Sequence, residues 1–176
     1  MNNPVLLKNL RCIPDFPKKG INFRDVTTLY KNPECMKIMV DEMYELYKKK
    51  GITKIVGIES RGFVMAAALA TKLGAGVVLA RKPGKLPATV IKESFSKEYG
   101  VDTVEMHIDS IDENDVVLIH DDLLATGGTA KATLKLVNHF HPKKVYMNFI
   151  IEITDEGLHG RDCLEKDVEV TTLMVI

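Results

Sequence analysis

The sequence predicts an α/β protein in which a central, mainly parallel sheet is flanked by helices. Short β-branched runs, typical of strands buried on both faces, occur at 53–58, 76–80, 116–119 and 144–151. Helical patterns at 61–74 and 126–142 separate the first run from the second and the third from the fourth. Because neighbouring parallel strands need a crossover connection, this alternation indicates a parallel sheet with helical crossovers.

The helical segments carry clear end signals. The first, at 32–51, has Asn32 as N-cap and Pro33 at the first helical position, and Gly51 follows it. Its apolar residues follow the three-and-four spacing of one buried face: Met36, Met39, Val40, Met43, Leu46 and Tyr47. We expect the helix at 61–74 to be closed by Gly74, and the helix at 126–142 to open at Thr126 and stop before Pro142.

Two segments depart from the strand and helix alternation. Residues 83–108 contain two alternating stretches between prolines and glycines, which predicts an exposed hairpin with a polar tip and a flexible lid over a site. The proline-rich first thirty residues are too irregular for the core and are expected to form a separate N-terminal cap. We therefore expect one domain, 1–176, with a cap at about 1–30 and a lid at about 83–108.

Composition excludes several functional classes. The chain of 176 residues is 45% apolar and 27% charged, and 24 basic residues balance 24 acidic ones, so no general field attracts nucleic acid or a membrane. The three cysteines are widely spaced and indicate neither a disulfide framework nor a zinc site. The first residues lack a signal-peptide pattern, and no apolar run approaches the ~20 residues of a membrane span. We expect a cytoplasmic protein that binds neither membrane nor nucleic acid.

The stretch HDDLLATGGT, residues 120–129, carries the most specific chemistry. It follows a buried strand, and ligands of open parallel sheets bind beyond the carboxyl ends of the strands. Gly127 and Gly128 allow the backbone to curl tightly before a helix whose first amides can bind an anion, while Thr126 and Thr129 add hydroxyl donors. The loop from Ala125 to Thr129 therefore predicts a cup for a phosphate monoester.

Asp121 and Asp122 directly precede this cup. Adjacent side chains on a strand point to opposite faces and chelate one metal ion poorly, so we expect no direct metal ligand. Two carboxylate acceptors near a phosphate cup instead suit the adjacent hydroxyls of a ribose 5-phosphate. The alternative is a solvated strand end followed by a simple turn.

VVLIHDDLLATGGT resembles the phosphoribosyl diphosphate (PRPP) motif of the type I phosphoribosyltransferases. Within that family, four further stretches are similar to the adenine phosphoribosyltransferases: IPDFPKKGINFRDVTTL, GIESRGF, RKPGKLP and SFSKEYGVDTVEMH. The resemblance implies the type I fold and a purine-salvage enzyme. Such an enzyme transfers ribose 5-phosphate from PRPP, held with Mg²⁺, to N9 of adenine and forms AMP and diphosphate.

The resemblance also implies a diphosphate site. Its residues would be Glu59, Ser60 and Arg61 after the first strand and Arg81, Lys82 and Lys85 after the second. Members of the family hold the peptide that corresponds to Glu59–Ser60 in the cis form. In the family, part of the group that corresponds to Arg81, Lys82 and Lys85 reaches the neighbouring subunit, so the resemblance implies a homodimer. The alternative is that these three residues form a solvated run of charges.

The remaining roles come from the resemblance alone. Glu98 and Tyr99 match the acidic residue and the tyrosine of the lid, and with Arg61 they form the implied catalytic set. For Glu98 the alternative is an exposed acidic residue in a polar hairpin tip. Asn22, Phe23, Arg24 and Ile153 match the adenine pocket, where Phe23 would stack on the purine, although an ordinary core aromatic is an alternative.

Two residues depart from the family pattern. Asn22 and His120 stand where the family usually has aliphatic residues, which leaves the strictness of base selectivity open. We expect His120 to be a satisfied core histidine.

There are three alternatives to adenine transfer. A transferase for a 6-oxopurine would share every phosphate and ribose residue, and only the cap and Arg24 argue against it. A non-catalytic PRPP-sensing regulator would normally carry a DNA-binding module, and a PRPP synthetase subunit would carry a second similar domain; we expect neither in this chain.

Overall fold

The computed structural model of the protein describes residues 2–97, 100–154 and 157–176. In chain order the elements are α1 (Pro4–Asn9), β1 (Arg11–Ile13), β2 (Phe23–Asp25), α2 (Thr27–Tyr30), α3 (Pro33–Tyr47), β3 (Lys54–Ile58), α4 (Gly62–Leu73), β4 (Gly76–Ala80), β5 (Val90–Lys97), β6 (Gly100–His107), β7 (Val116–Leu124), α5 (Gly128–Asn138), β8 (Lys144–Glu152), a 3₁₀ turn (Gly160–Cys163) and β9 (Glu169–Val175).

The central sheet has five parallel strands in the order β4-β3-β7-β8-β9, which confirms the predicted fold class. β7 is longer than the predicted run of 116–119 because β8 pairs with it as far as Leu124. β3 pairs with β7 only as far as His120. The part of β7 that begins at Asp121 therefore extends past the paired part of β3.

The helices largely follow their predicted end signals. The side chain of Asn32 accepts hydrogen bonds from the backbone N–H groups of Glu34 and Cys35, which confirms it as the N-cap of α3. The predicted start of the last helix at Thr126 is wrong. α5 begins at Gly128 because Gly127 has a φ of +79°, a left-handed conformation that cannot belong to a right-handed helix.

Apolar residues fill both faces of the sheet, since successive strand residues point to opposite sides. On one face α3 and α4 contribute buried residues such as Met39, Met43 and Leu69, and on the other α5 contributes Leu134 and Val137. Each face is therefore covered by at least one helix.

We expected the first thirty residues to form a cap separate from the core, but part of this segment lies within the core. Leu6, Val26 and Leu29 are fully buried in the same cluster as α3, because α1 and α2 pack against that helix. The short strands β1 and β2 form their own two-stranded antiparallel sheet. Only part of the segment can therefore act as a cap.

The predicted hairpin within 83–108 is confirmed. β5 and β6 pair antiparallel from Val90 opposite His107 to Lys97 opposite Gly100, and both strands contact α5. Glu98 and Tyr99, between the two strands in the sequence, lie outside the described residues. None of the helices in the described ranges has the length and apolar character needed to cross a bilayer.

Candidate active site

A cleft of about 470 Å³ opens at the carboxyl ends of β3, β4 and β7, the edge where open parallel sheets bind ligands. Its walls combine three strand ends, the start of α4 and part of the hairpin. The lining residues are Ile58, Glu59, Ser60, Arg61, Ala80, Arg81, Lys82, Asp102, Thr103, Val104, Asp121, Asp122, Leu123 and Thr129. Eight of the predicted site residues are in this set.

A smaller cavity of about 100 Å³ adjoins the cleft. It is lined by the loop Ala125–Thr129 together with Asp121, Leu123, Leu124 and Ala130. Asp121 and Thr129 line both spaces. The predicted phosphate cup and the predicted ribose acceptors thus lie side by side.

The two aspartates have different surroundings. Burial, reinforced by the neighbouring Asp122 carboxylate, raises the pKa of Asp121 well above its usual value. Asp122 is 4% exposed, and its Oδ2 makes no hydrogen bond within the described ranges. Arg61 Nε lies 2.9 Å from that oxygen as an ion pair whose angles do not form a hydrogen bond. The pair therefore retains acceptor capacity for hydroxyl donors from a ligand.

The start of α4 packs directly onto the backbone of β7 beside these carboxylates. A β-carbon placed on Gly62 would lie 2.8 Å from the His120 carbonyl oxygen and 3.1 Å from Asp121 Oδ1. Only glycine allows this approach. It brings Arg61, the residue before the helix, to the carboxylate of Asp122.

The loop after β4 is held against the end of β3 by Glu59. Its carboxylate accepts a hydrogen bond from Lys82 N–H at 2.8 Å and from Arg81 Nε at 3.2 Å. Burial acts to raise the pKa of Glu59, but these hydrogen bonds outweigh it and lower the pKa. The Glu59 side chain thus orients the cationic loop. The Glu59–Ser60 peptide is cis, as the resemblance implies.

The remaining cations of this loop face solvent. Lys82 and Lys85 are exposed, and Arg81 Nη1 donates to the Lys85 carbonyl oxygen at 3.1 Å. Glu105 of β6 accepts from Gly84 N–H at 3.0 Å. The hairpin and the β3 end together fix a loop that presents positive charge at the cleft.

The predicted base-binding residues lie at two places outside the cleft walls. Phe23 in β2 is half-buried, with the Arg61 guanidinium 5.4 Å above its ring and the Phe16 ring at 5.3 Å. Arg24, next to it, donates to Cys12 Sγ at 2.8 Å. Asn22 is exposed. Phe23 is therefore linked to the cleft through Arg61.

Ile153 lies beyond the end of β8, and its N–H donates to the Leu124 carbonyl oxygen at 2.9 Å. It is 8% exposed and belongs to the core cluster that also includes α3. This placement puts Ile153 beside the start of the Ala125–Thr129 loop.

Three polar residues at the site were missed by sequence reasoning. The Tyr30 hydroxyl donates to the Arg61 carbonyl oxygen at 3.0 Å. Burial, together with the charges of Asp122 and Asp121, raises the Tyr30 pKa far above its usual value, so the hydroxyl keeps its proton. Asp102 and Thr103 reach the cleft from β6. The alternating pattern of the hairpin predicted the strand but not which of its residues face the cleft.

Comparisons with known proteins show which family this chain belongs to. Residues 25–167 match the phosphoribosyl transferase domain family. The adenine phosphoribosyltransferase of Phocaeicola vulgatus is 60% identical over 176 residues, which cover 100% of both chains.

Solved structures give the same result. The adenine phosphoribosyltransferase of Rhodothermus marinus has a TM-score of 0.92 at 46% identity and covers 98% of this chain and 97% of its own. The Saccharomyces cerevisiae enzyme, solved with an imino-altritol bisphosphate and adenine, has a TM-score of 0.88 at 37% identity and covers 97% of each chain. The chain belongs to the adenine phosphoribosyltransferases of the phosphoribosyl transferase domain family.

Proposed function

We propose that this protein transfers ribose 5-phosphate from PRPP, carried with Mg²⁺, to N9 of adenine and releases AMP and diphosphate. The observation that carries the proposal is the shared wall of the two cavities, where Asp121 and Thr129 join an acceptor pair to a glycine loop at a helix start. Relatives bearing the name adenine phosphoribosyltransferase, one of them solved with adenine, support the choice of base.

The ribose 5-phosphate part of PRPP would occupy both cavities. Asp122 Oδ2, buried and without a hydrogen bond in the described ranges, would accept from one ribose hydroxyl, and Asp121 from the other. The 5-phosphate would bind the Ala125–Thr129 loop, since the first N–H groups of a helix have no partner within that helix. Charged hydrogen bonds of this kind contribute roughly 1.5–3 kcal/mol each.

The diphosphate would face the cationic side of the cleft. Arg81, Lys82 and Lys85 supply positive charge, and Ser60 and Arg61 supply donors from the start of α4. No group of three or more His, Cys, Asp or Glu residues suited to a metal ion occurs within the described ranges. Mg²⁺ would be carried by the diphosphate of PRPP, where its charge would assist departure of the leaving group.

The reaction breaks the bond from ribose C1 to the diphosphate oxygen and forms the bond from C1 to adenine N9. Positive charge develops on the sugar, so the chain would act mainly by positioning both substrates, stabilising the leaving diphosphate and excluding water. Arg61 would contribute by contacting both the Asp122 carboxylate and the diphosphate. Glu98 would help remove the N9 proton and Tyr99 would help close the lid.

Adenine would bind between the cap and the end of β8. Phe23 would stack on the purine, and backbone groups of the 22–24 segment would read N1 and the 6-amino group. A 6-oxopurine reverses both hydrogen-bonding polarities and would leave buried groups unpaired, which can discriminate by several kcal/mol. Ile153 would contact the opposite face of the base.

We further propose a homodimer in which β4 and α4 meet a second copy. Val77 and Leu79 of β4 are 41% and 39% exposed, and Val64 of α4 is 40% exposed. β4 is an edge strand of the central sheet, and an apolar edge favours association. Because Arg81 and Lys82 follow β4 directly, this contact would bring the cationic loop near the partner's cleft.

The function is tested by measuring diphosphate release from PRPP and Mg²⁺ with adenine, hypoxanthine, guanine and xanthine in parallel. We expect the highest kcat/KM with adenine. Equal or greater turnover with hypoxanthine would contradict adenine specificity, and no turnover with any base would favour a PRPP-binding regulator.

A further inference from the structure

The 3₁₀ turn Gly160–Cys163 lies against the predicted phosphate loop, backbone to backbone. A β-carbon placed on Gly160 would lie 2.3 Å from the Ala125 carbonyl oxygen and 3.0 Å from the Gly127 amide nitrogen. One placed on Gly127 would lie 2.4 Å from the Gly160 carbonyl oxygen. Both glycines are therefore needed for this contact, because each leaves the space in which the other's backbone lies.

A side chain of the same turn also meets the loop. Cys163 Sγ donates a hydrogen bond to the Thr126 carbonyl oxygen at 3.4 Å. The turn thus contacts three consecutive loop residues, Ala125, Thr126 and Gly127.

Arg161 anchors the turn to the central sheet. Its Nε donates to Glu152 Oε1 at 2.8 Å at the end of β8, and its Nη1 donates to the Val170 carbonyl oxygen of β9 at 2.8 Å. The Nη2 group pairs with the second Glu152 oxygen, so the guanidinium holds the carboxylate in a bidentate pair. Glu152 is 7% exposed, and Thr172 Oγ1 also donates to it at 3.3 Å. The anchor is therefore a partly buried, hydrogen-bonded pair and not a loose surface contact.

From these contacts we propose that Gly160 and the Arg161–Glu152 pair are positioning residues that set the shape of the Ala125–Thr129 loop and thereby its affinity for the 5-phosphate of the substrate. The inference rests on the proposed function and adds to it residues that touch no substrate. The sheet holds Arg161, Arg161 holds Gly160, and Gly160 limits how far the Ala125–Thr129 loop can be displaced.

Gly160→Ala tests the contact directly. The φ of Gly160 lies outside the left-handed range, so alanine fits its backbone conformation and the collision with Ala125 and Gly127 is the main change. Arg161→Gln tests the anchor without adding volume to the contact. We expect each variant to weaken ribose 5-phosphate binding by about tenfold, the loss of one to two loop hydrogen bonds.

Two matched controls come from the chain itself. Gly76→Ala makes the same substitution at the amino end of β4, where the nearest atom to a new β-carbon is Lys54 Cδ at 3.4 Å. Lys50→Gln removes an exposed ion pair with Glu169 at the start of β9. Neither site adjoins the cleft, so both variants should bind ribose 5-phosphate like the unsubstituted protein.

The experiment is isothermal titration of ribose 5-phosphate into the full chain and each variant, with steady-state KM for PRPP and for adenine and a thermal melt. The proposal predicts a raised dissociation constant and a raised KM for PRPP, with KM for adenine unchanged. If Gly160→Ala does not fold, Arg161→Gln decides the outcome in the same way.

Unchanged ribose 5-phosphate affinity in the folded variants, or an equal rise in KM for both substrates, would overturn this inference while leaving the proposed function intact. Absence of both ribose 5-phosphate binding and PRPP turnover in the unsubstituted protein would instead overturn the proposed function and the inference together.

Discussion

His120, the residue immediately before the two site aspartates, is fully buried and joins a polar network beneath the cleft. Its Nδ1 lies 3.0 Å from Asn148 Oδ1, and Asn148 Nδ2 donates to Thr171 Oγ1 at 2.8 Å. The Tyr47 hydroxyl completes the network at 2.6 Å from the same threonine oxygen. His120 Nε2 has no hydrogen-bond partner within the described ranges, so the expected satisfied histidine is satisfied at one nitrogen.

This histidine should make the protein sensitive to mild acid. Burial lowers the pKa of His120 from 6.5 to about 4, so below pH 6.5 the unfolded chain takes up a proton that the folded chain does not. Its stabilising contribution is complete above pH 6.5 and decreases as pH falls towards 4, by roughly 3 kcal/mol in total. Urea unfolding between pH 7.5 and 4.5 measures this loss.

His120→Gln provides the control, because glutamine can still hydrogen-bond Asn148 but does not titrate. Asp121, whose raised pKa favours the folded state as pH falls, is common to both proteins and cancels in the difference. The stability difference between the two proteins should be constant above pH 6.5 and change below it. Parallel stability curves over the whole range would rule out the titration of His120 as the cause.

At the scale of elements, the cap of α3 permits a stability prediction separate from function. Asn32 Oδ1 accepts from Glu34 N–H at 2.9 Å and Cys35 N–H at 3.3 Å. Asn32→Ala removes both bonds and should lower the free energy of unfolding by about 1 kcal/mol, with KM values unchanged. Asn32→Asp should retain most of the stability in chemical unfolding. A loss of activity in Asn32→Ala at full stability would show that the residue acts on the site.

Elements with strong local signals could be predicted from sequence, and those set by distant partners could not. Asn32 and Pro33 open α3 and Gly74 closes α4 as expected, because caps depend on neighbouring residues. The extension of β7 to Leu124 depends on pairing with β8, which the local pattern does not contain. The burial of Leu6 likewise depends on packing against α3.

In the candidate site, too, features with local sequence signals could be predicted and features set by distant residues could not. The motif at 120–129 predicted the two aspartates and the glycine loop because all of its members are adjacent in sequence. Gly160, about 30 residues after the motif, contacts it directly, and Tyr30, about 90 residues before it, contacts Arg61, which pairs with Asp122. No periodicity or motif marked either residue. Sequence reasoning thus found the residues of the motif more readily than the residues that pack against them.

At the scale of the whole molecule, the proposed homodimer depends on the apolar surface of β4 and α4. Sedimentation should give twice the chain mass for the unsubstituted protein. Val64→Lys with Leu79→Lys should shift it towards the monomer and lower kcat/KM, since charged side chains are costly in an apolar interface. Ile108→Lys, at a residue that is 53% exposed beside the hairpin, should leave the mass unchanged. A monomeric mass for the unsubstituted protein would contradict the proposed assembly.

The central claim is that Asp121 and Asp122 hold the ribose of PRPP beside the phosphate loop. Calorimetric titration of PRPP with Mg²⁺ into the protein, into Asp121→Asn with Asp122→Asn, and into the exposed-site control Asp109→Asn tests it most directly. The double variant keeps the approximate shape of both side chains but replaces each carboxyl group with an amide. We expect a dissociation constant that is at least about tenfold higher, with an unchanged fold by circular dichroism. The control should bind normally. Unchanged PRPP affinity in the folded double variant would contradict the account.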